Sequence, residues 1–255
     1  MKKIKTAVLL PVFAVLLAVT FLSGCVVINS FGPNAVTAKG NTELYEIDTG
    51  EFSSISVAGF CDVHYYAPGS NPDLSPGKVT LEIQPNVRDY FSVEVVSGVL
   101  KVGSTRRINF APGTNPVLTI CTPLLNGITI NGSGSFIGYD KITADSLTLA
   151  LNGAANGNVD LDVGKLSASI SGAGGFNFSG KADTADFNIS GAGGFDALSL
   201  ETRVATIDLS GAGSVKVNCS EKLSIEAQGA GNVEYRGSAS LNLNRSGPVS
   251  IRKVD

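Results

Sequence analysis

This sequence predicts an all-β chain, a right-handed parallel β-helix built from coils of roughly 20 residues, and three observations carry that expectation. First, a short motif recurs: Asn131-Gly132-Ser133-Gly134, Asn152-Gly153-Ala154-Ala155, Ser171-Gly172-Ala173-Gly174, Ser190-Gly191-Ala192-Gly193, Ser210-Gly211-Ala212-Gly213 and Gln228-Gly229-Ala230-Gly231. Second, its leading glycines, at 132, 153, 172, 191, 211 and 229, lie 21, 19, 19, 20 and 18 residues apart. That period is too short for helix pairs and suits one turn of a strand solenoid. Third, the residues four and two before each leading glycine are apolar without exception: Ile128 and Ile130, Leu149 and Leu151, Ala168 and Ile170, Phe187 and Ile189, Ile207 and Leu209, Ile225 and Ala227. Alternate positions of a strand share a face, so these columns form a core. Parallel strands joined by β crossovers favour the right-handed coil.

The chain begins with Lys2, Lys3 and Lys5 and then an uncharged run from Thr6 to Gly24. A basic start followed by a short apolar stretch has the pattern of an export signal, and residues 1–24 are assigned to it. The run ends in Leu22-Ser23-Gly24-Cys25. This resembles the lipobox of bacterial lipoproteins, which implies acylation of Cys25, cleavage just before it, and a membrane-anchored protein outside the cytoplasm. Several acyl chains on one residue anchor durably, because each buried methylene contributes about 0.8 kcal/mol. Val26 is not the aspartate that such lipoproteins use for inner-membrane retention. The resemblance therefore implies the outer membrane in a two-membrane host and the cell surface otherwise. Residues 25–42, with scattered Asn, Ser, Gly and Pro, read as the lipidated cysteine and its tether.

A single β-helix domain is predicted over 43–255. Its opening part, 43–123, is less regular, with alternating strands at Ile55–Val57, Val63–Tyr65, Val79–Ile83, Phe91–Val95, Leu100–Val102 and Val117–Ile120 and a loop over Ala67–Gly77. The regular coils occupy 124–255. Beyond each corner a second inward strand is expected, led by Phe136, Val159, Phe176, Phe195, Val215 and Val233 and joined to the first at Gly-Ala-Gly. Glycine at such a corner serves a positive φ or leaves room for the neighbouring coil. The residues before the glycines, Asn131, Asn152, Ser171, Ser190, Ser210, Gln228 and Ser246, are spaced to form a hydrogen-bonded ladder. In the last repeat Arg245 enters an inward place and Pro248 follows, which ends the stacking with Val249–Val254 as a cap.

Composition narrows the chemistry. After Cys25 the chain carries sixteen basic and twenty-two acidic side chains, a net of −6, so no electrostatic attraction to nucleic acid is expected. One histidine and no tryptophan leave little scope for histidine catalysis or multi-histidine metal sites. Gly-x-Gly here leads into another strand, whereas phosphate-binding loops need a helix after the glycines. His64 is expected to face solvent, and Cys61-Asp62-Val63-His64 lacks the second ligand pair of a zinc site. Cys61, Cys121 and Cys219 could supply one disulfide or act as three small buried apolar residues. Asn156-Gly157-Asn158-Val159-Asp160-Leu161-Asp162 offers alternating oxygens for a weak calcium site but lacks a loop's spacing.

The acidic residues Asp160, Asp162, Asp183, Asp186, Asp196, Asp208, Glu226 and Glu234, with Lys181, Lys216, Arg203 and Arg236, are the candidates for a polysaccharide-cleaving face. Asp160 and Asp162 share one side of a strand at a spacing glycoside hydrolysis allows. Charges outside a solenoid more commonly serve solvation. Tyr139, Tyr235 and Phe60 are the aromatics that could meet a sugar if exposed.

Ile55-Ser56-Val57-Ala58-Gly59, Asp62-Val63-His64-Tyr65, Leu100-Lys101-Val102 and Gly127-Ile128-Thr129-Ile130-Asn131-Gly132-Ser133-Gly134, followed by Ser-Gly-Ala-Gly coils, resemble the auto-transporter adhesin, or head GIN domain, family over about residues 50–250. The resemblance implies a β-helical envelope protein with no catalytic residues to carry over and no cofactor. The expected function is therefore a lipid-anchored, non-catalytic binding or adhesion role toward an envelope glycan or protein. A polysaccharide lyase or glycosidase and a purely structural or accessory envelope protein are the alternatives.

Overall fold

The computed structural model describes residues 35–255. The opening region contributes β1 (Val36–Thr37), β2 (Glu43–Asp48), β3 (Ser54–Val57), β4 (Asp62–Tyr66), β5 (Lys78–Ile83), a 3-10 turn (Pro85–Tyr90), β6 (Phe91–Val96), β7 (Val99–Ser104), β8 (Ile108–Asn109) and β9 (Val117–Cys121). The regular coils contribute β10 (Gly127–Ile130), β11 (Ser133–Gly138), β12 (Ile142–Leu151), β13 (Ala154–Ile170), β14 (Ala173–Ile189), β15 (Ala192–Leu209), β16 (Ala212–Ala227), β17 (Ala230–Arg236), β18 (Ser240–Arg245) and β19 (Val249–Lys253). They stack as a parallel β-solenoid of about 7 turns and about 19 residues per turn.

The coils register as the repeat predicts. Ile128 pairs with Leu149, Leu149 with Ala168, Ala168 with Phe187, Phe187 with Ile207 and Ile207 with Ile225. All these side chains are buried. Alternation alone accounts for this: a parallel ladder keeps like faces aligned, so apolar columns exclude water together. Phe176, Phe178, Phe187 and Phe195 meet in the middle of the core, with Phe187 and Phe195 centroids 5.2 Å apart and Phe178 and Phe195 5.9 Å apart. The step from a 19- to a 20-residue repeat is absorbed as an irregularity between the Asn177–Asp196 and Ser179–Ser199 pairs, where an extra residue bends the strand without displacing the columns.

Several features differ from the sequence expectation. Pairing begins before Glu43: Val36 and Thr37 add in parallel to Ile108 and Asn109, so part of the predicted tether is strand. The opening is not purely parallel. β2 and β9 flank β5 in antiparallel pairs and β6 returns on β7 as a hairpin, because Ser97 and Gly98, both at positive φ, close a tight turn there. Each regular coil is one bent run of 16 to 18 residues, where two strands meeting at Gly-Ala-Gly were expected. The ladder lapses at Ser-Gly and resumes at the alanine. Val159 aligns with Phe178, not Phe176. The place expected for it belongs to Gly157, where a Cβ would lie 2.1 Å from the Phe176 ring, so the missing side chain makes room for the phenylalanine.

The leading glycines answer the second of the two reasons for a corner glycine. Gly191 has no positive φ, yet a Cβ on it would lie 2.2 Å from the Gly172 carbonyl oxygen. At the far end Leu241 and Leu243 continue the columns of Leu223 and Ile225 but are 41% and 43% exposed, since among the described residues no further coil covers β18. Arg245 continues the Ala227 column, lies exposed, and donates to the Val249 carbonyl at 2.9 Å.

Candidate functional site

Where the sheet follows the corner, successive side chains along each strand point to opposite faces. Phe136, Phe176 and Phe195 turn inward and are buried. Ser135, Asn156, Gly175, Gly194 and Ser214, which are register partners on five successive strands, turn outward. Three of the five are serine or asparagine and two carry no side chain at all, so this row is a furrow. Beside it runs a second outward row, Ile137, Asn158, Asn177, Asp196 and Lys216, again in register. The two rows line an open groove of about 500 Å³. With strands about 4.8 Å apart, five of them span roughly 19 Å.

The second row is internally bonded. Asn177 Nδ2 donates to Asn158 Oδ1 at 2.7 Å, and Lys216 Nζ to Asp196 Oδ2 at 2.8 Å. Beyond the groove the row continues to Glu234 and Arg252, paired at 2.6 Å. The Asp196 hydrogen bond holds the Lys216 ammonium above its ordinary value. The Arg252 guanidinium holds the Glu234 carboxyl below the usual carboxylate range, helped by Asn232. Each asparagine that gives one N–H to its neighbour keeps a further donor and acceptor capacity for a ligand.

Toward the start of the solenoid the second row passes from Ile137 to His64 and Thr119. His64 faces outward between buried Val63 and Tyr65, as alternation predicts, and is half-buried against Tyr139 in an edge contact of 5.2 Å. Burial lowers its pKa, with Asp62 and Glu82 pulling the other way. Tyr139 also stacks on Tyr66 at 4.8 Å and 7°. Of the other aromatics singled out, Phe60 is exposed at a separate corner near Phe110, and Tyr235 is partly buried against the core.

The remaining sequence candidates do not converge. Asp160 and Asp162 do share an outward face, but Asp160 is paired with Lys141 at 3.6 Å and accepts from Ser179, and neither lines the groove. Asp186, Asp183 and Asp196 are likewise taken up by Lys165, Arg203 and Lys216 of neighbouring coils, while Lys181 meets Glu201 and Arg236 donates to the Leu198 carbonyl. Asn156, Asn158, Asp160 and Asp162 lie along one extended strand, about 6.6 Å between successive members. A calcium ion needs its oxygens at 2.3–2.6 Å, and side chains spaced out in a row along an extended segment do not surround it. Among the described residues no three His, Cys, Asp or Glu side chains gather as a metal site.

Cys61 is buried and His64 is outward, on opposite faces. Cys61, Cys121 and Cys219 are all buried and unpaired. Cys25 and the export signal lie outside the described residues. The expected corner ladder forms in part: Asn152 donates to Asn131 at 2.9 Å and Ser171 to Asn152 at 2.8 Å, after which Ser210 turns to the Ile189 carbonyl and Gln228 to Glu226. An amide spans the gap between coils and a serine hydroxyl is too short to do so unaided. The amide row at 158 and 177 escaped the sequence reading although its signal was present, since both lie five residues after a leading glycine.

Known folds repeat this construction. The crystal structure of a putative adhesin from Bacteroides fragilis NCTC 9343 superposes with a TM-score of 0.78 at 22% identity, covering 86% of this chain and 100% of that one. That of a putative lipid binding protein from Parabacteroides distasonis ATCC 8503 gives 0.68 at 22% identity over 87% and 100%. A putative adhesin from Parabacteroides merdae ATCC 43184 gives 0.67 at 21% identity over 87% and 100%. No curated protein matches the chain in sequence. The repeat and its corner motif do match a family pattern, over residues 51–239, and the chain accordingly belongs to the family described as "Putative auto-transporter adhesin, head GIN domain".

Proposed function

We propose that the protein is an extracytoplasmic lipoprotein, held to the membrane through Cys25, that binds an extended envelope polymer without cleaving it. The observation that carries this reading is the groove. It is open at the surface, runs across five coils and is lined mainly by serine, asparagine and glycine, with Phe176 and Phe195 also bordering it, Ile137 on its first strand and the Asp196–Lys216 pair on its last two. A ligand lying in it would run along the stack, past amides on the middle coils and a bonded acid–base pair on the last two. The reading of the role as non-catalytic draws on the same residues: the groove's one carboxylate, Asp196, is paired with Lys216, so no second acid stands opposite it as glycoside hydrolysis requires.

The test uses the full chain, purified in detergent, against arrays of glycans, peptidoglycan fragments and envelope proteins. Binding that weakens in an Asn158→Ala, Asn177→Ala double variant supports the reading. Absence of any binding, or binding that ignores those substitutions, overturns it. Anchoring has its own measurement: Cys25→Ser is expected to release the protein from the membrane fraction, and retention would refute the lipid anchor.

A further inference from the structure

An aromatic residue stands beside the first strand of the groove, just past Ile137. Tyr139 follows Ile137 by two residues, on the outward side of the same stretch of chain, and is 52% exposed. Its backbone N–H donates to the Tyr65 carbonyl at 3.0 Å, continuing the β11–β4 ladder. Tyr66 covers one face of its ring and His64 meets it at an angle of 80°. The next residue, Asp140, accepts from the Ala67 N–H at 2.9 Å and from the Ser70 hydroxyl, which pins the adjoining loop. The ring is thereby held by two neighbours, Tyr66 and His64, while half of the residue stays open to solvent.

We propose that Tyr139 is the terminal subsite of the groove and that the ligand is a neutral, linear glycan. This rests on the binding reading given above. Aromatic rings present an electron-rich face, on which the C–H bonds of a sugar ring pack well. The hydroxyls at the sugar's rim then need mixed donors and acceptors, and the asparagine amides at 156, 158 and 177 offer both.

Charge argues for a neutral polymer. The groove near Tyr139 is lined by Ser135, Ile137, Asn156 and Asn158, none of them charged, and its one cation, Lys216, is committed to Asp196. Topology argues against a peptide. Strand addition needs a free backbone edge, and the strands that form the groove are paired with neighbours on both sides.

The experiment measures binding of the full chain in detergent to cellohexaose, mannohexaose and chitohexaose by calorimetry, at low and high salt. A panel of peptides and an anionic polysaccharide serve as comparison. At least one neutral hexasaccharide is expected to bind with little salt dependence. Tyr139→Ala should weaken it about fivefold or more, Tyr139→Phe about twofold at most, and Asn177→Ala about fivefold. Circular dichroism of each variant checks that the solenoid is intact. Neutral glycan binding that is indifferent to Tyr139→Ala would overturn the aromatic subsite. Peptide or anionic-polymer binding alone, still sensitive to Asn177→Ala, would overturn the glycan assignment while leaving the groove as a binding face. Loss of all groove-dependent binding would overturn both.

Discussion

Gly191→Ala tests the reason for the glycine column most directly. The added methyl would sit 2.2 Å from the Gly172 carbonyl oxygen and 2.6 Å from the Ser171 carbonyl, against an optimal non-bonded separation of about 3.5 Å. The two coils would have to part by more than an ångström at this corner. Three backbone bonds converge there: Gly191 N–H to the Ile170 carbonyl at 3.2 Å, Ala192 N–H to the Gly172 carbonyl at 2.9 Å, and Ala212 N–H to the Gly191 carbonyl at 2.9 Å. Overpacking of this kind costs about 1–3 kcal/mol, and each stretched hydrogen bond forfeits about 1 kcal/mol. With two of the three bonds weakened, a loss of about 3–5 kcal/mol is expected. For a chain of this size that lowers Tm by roughly 6–20 °C. Urea and thermal unfolding followed by circular dichroism measure it. Ala192→Ser, at the exposed next residue, is the control and should stay within about 0.5 kcal/mol. If Gly191→Ala matched that control, close coil approach would not be why glycine stands there.

Phe187→Ala, in the aromatic core, is expected to lose about 3–5 kcal/mol in the same assay. Leu243→Ala, in the uncovered last coil, should lose less than about 1 kcal/mol; equal losses would contradict the open end. Below about pH 6.5 the unfolded chain takes up a proton on His64 that the folded chain resists, because burial lowers the folded pKa. Stability therefore falls as pH drops through that value and on toward the folded pKa, and is unaffected by this group above it. His64→Gln should flatten that limb of the pH–stability curve, and an unchanged slope would reject the assignment. Burial, with Asp62 adding to it, pushes the Cys61 thiol up to about 12. Cys61, Cys121 and Cys219 should resist a thiol reagent in the folded protein and react once it is denatured; rapid labelling without denaturant would show that the coils are not closed around them.

Much of this molecule is legible in one line of text. The apolar pairs before each leading glycine settle the inward columns, because a strand alternates strictly and a parallel stack preserves register. The same arithmetic identifies the outward rows. Where the reading slipped, the cause is local. Val159 was aligned by its apolar character, whereas the actual partner of Phe176 is Gly157, and only a neighbouring ring explains a glycine in a core column. Six of the opening strands are found by alternation, whereas β2 and the short β1 and β8 are not, and strand directions are not either, since antiparallel and parallel partners present the same pattern of side chains along one strand.

The site divides in the same way. That asparagines recur five residues after a corner is written in the sequence; that they border a bare furrow, and that Tyr139 stacks on Tyr66 beside its first strand, is not. Residues 66, 139 and 177 are far apart in the chain, and a one-dimensional period carries no information on how the irregular opening coils abut the regular ones. Periodicity determined the core because burial of a repeated face is a local matter summed over identical turns. The tertiary structure decided the groove, the aromatic stack beside it and the ion pairs that occupy the acidic residues, because each depends on which side chains different coils bring within a few ångströms of one another.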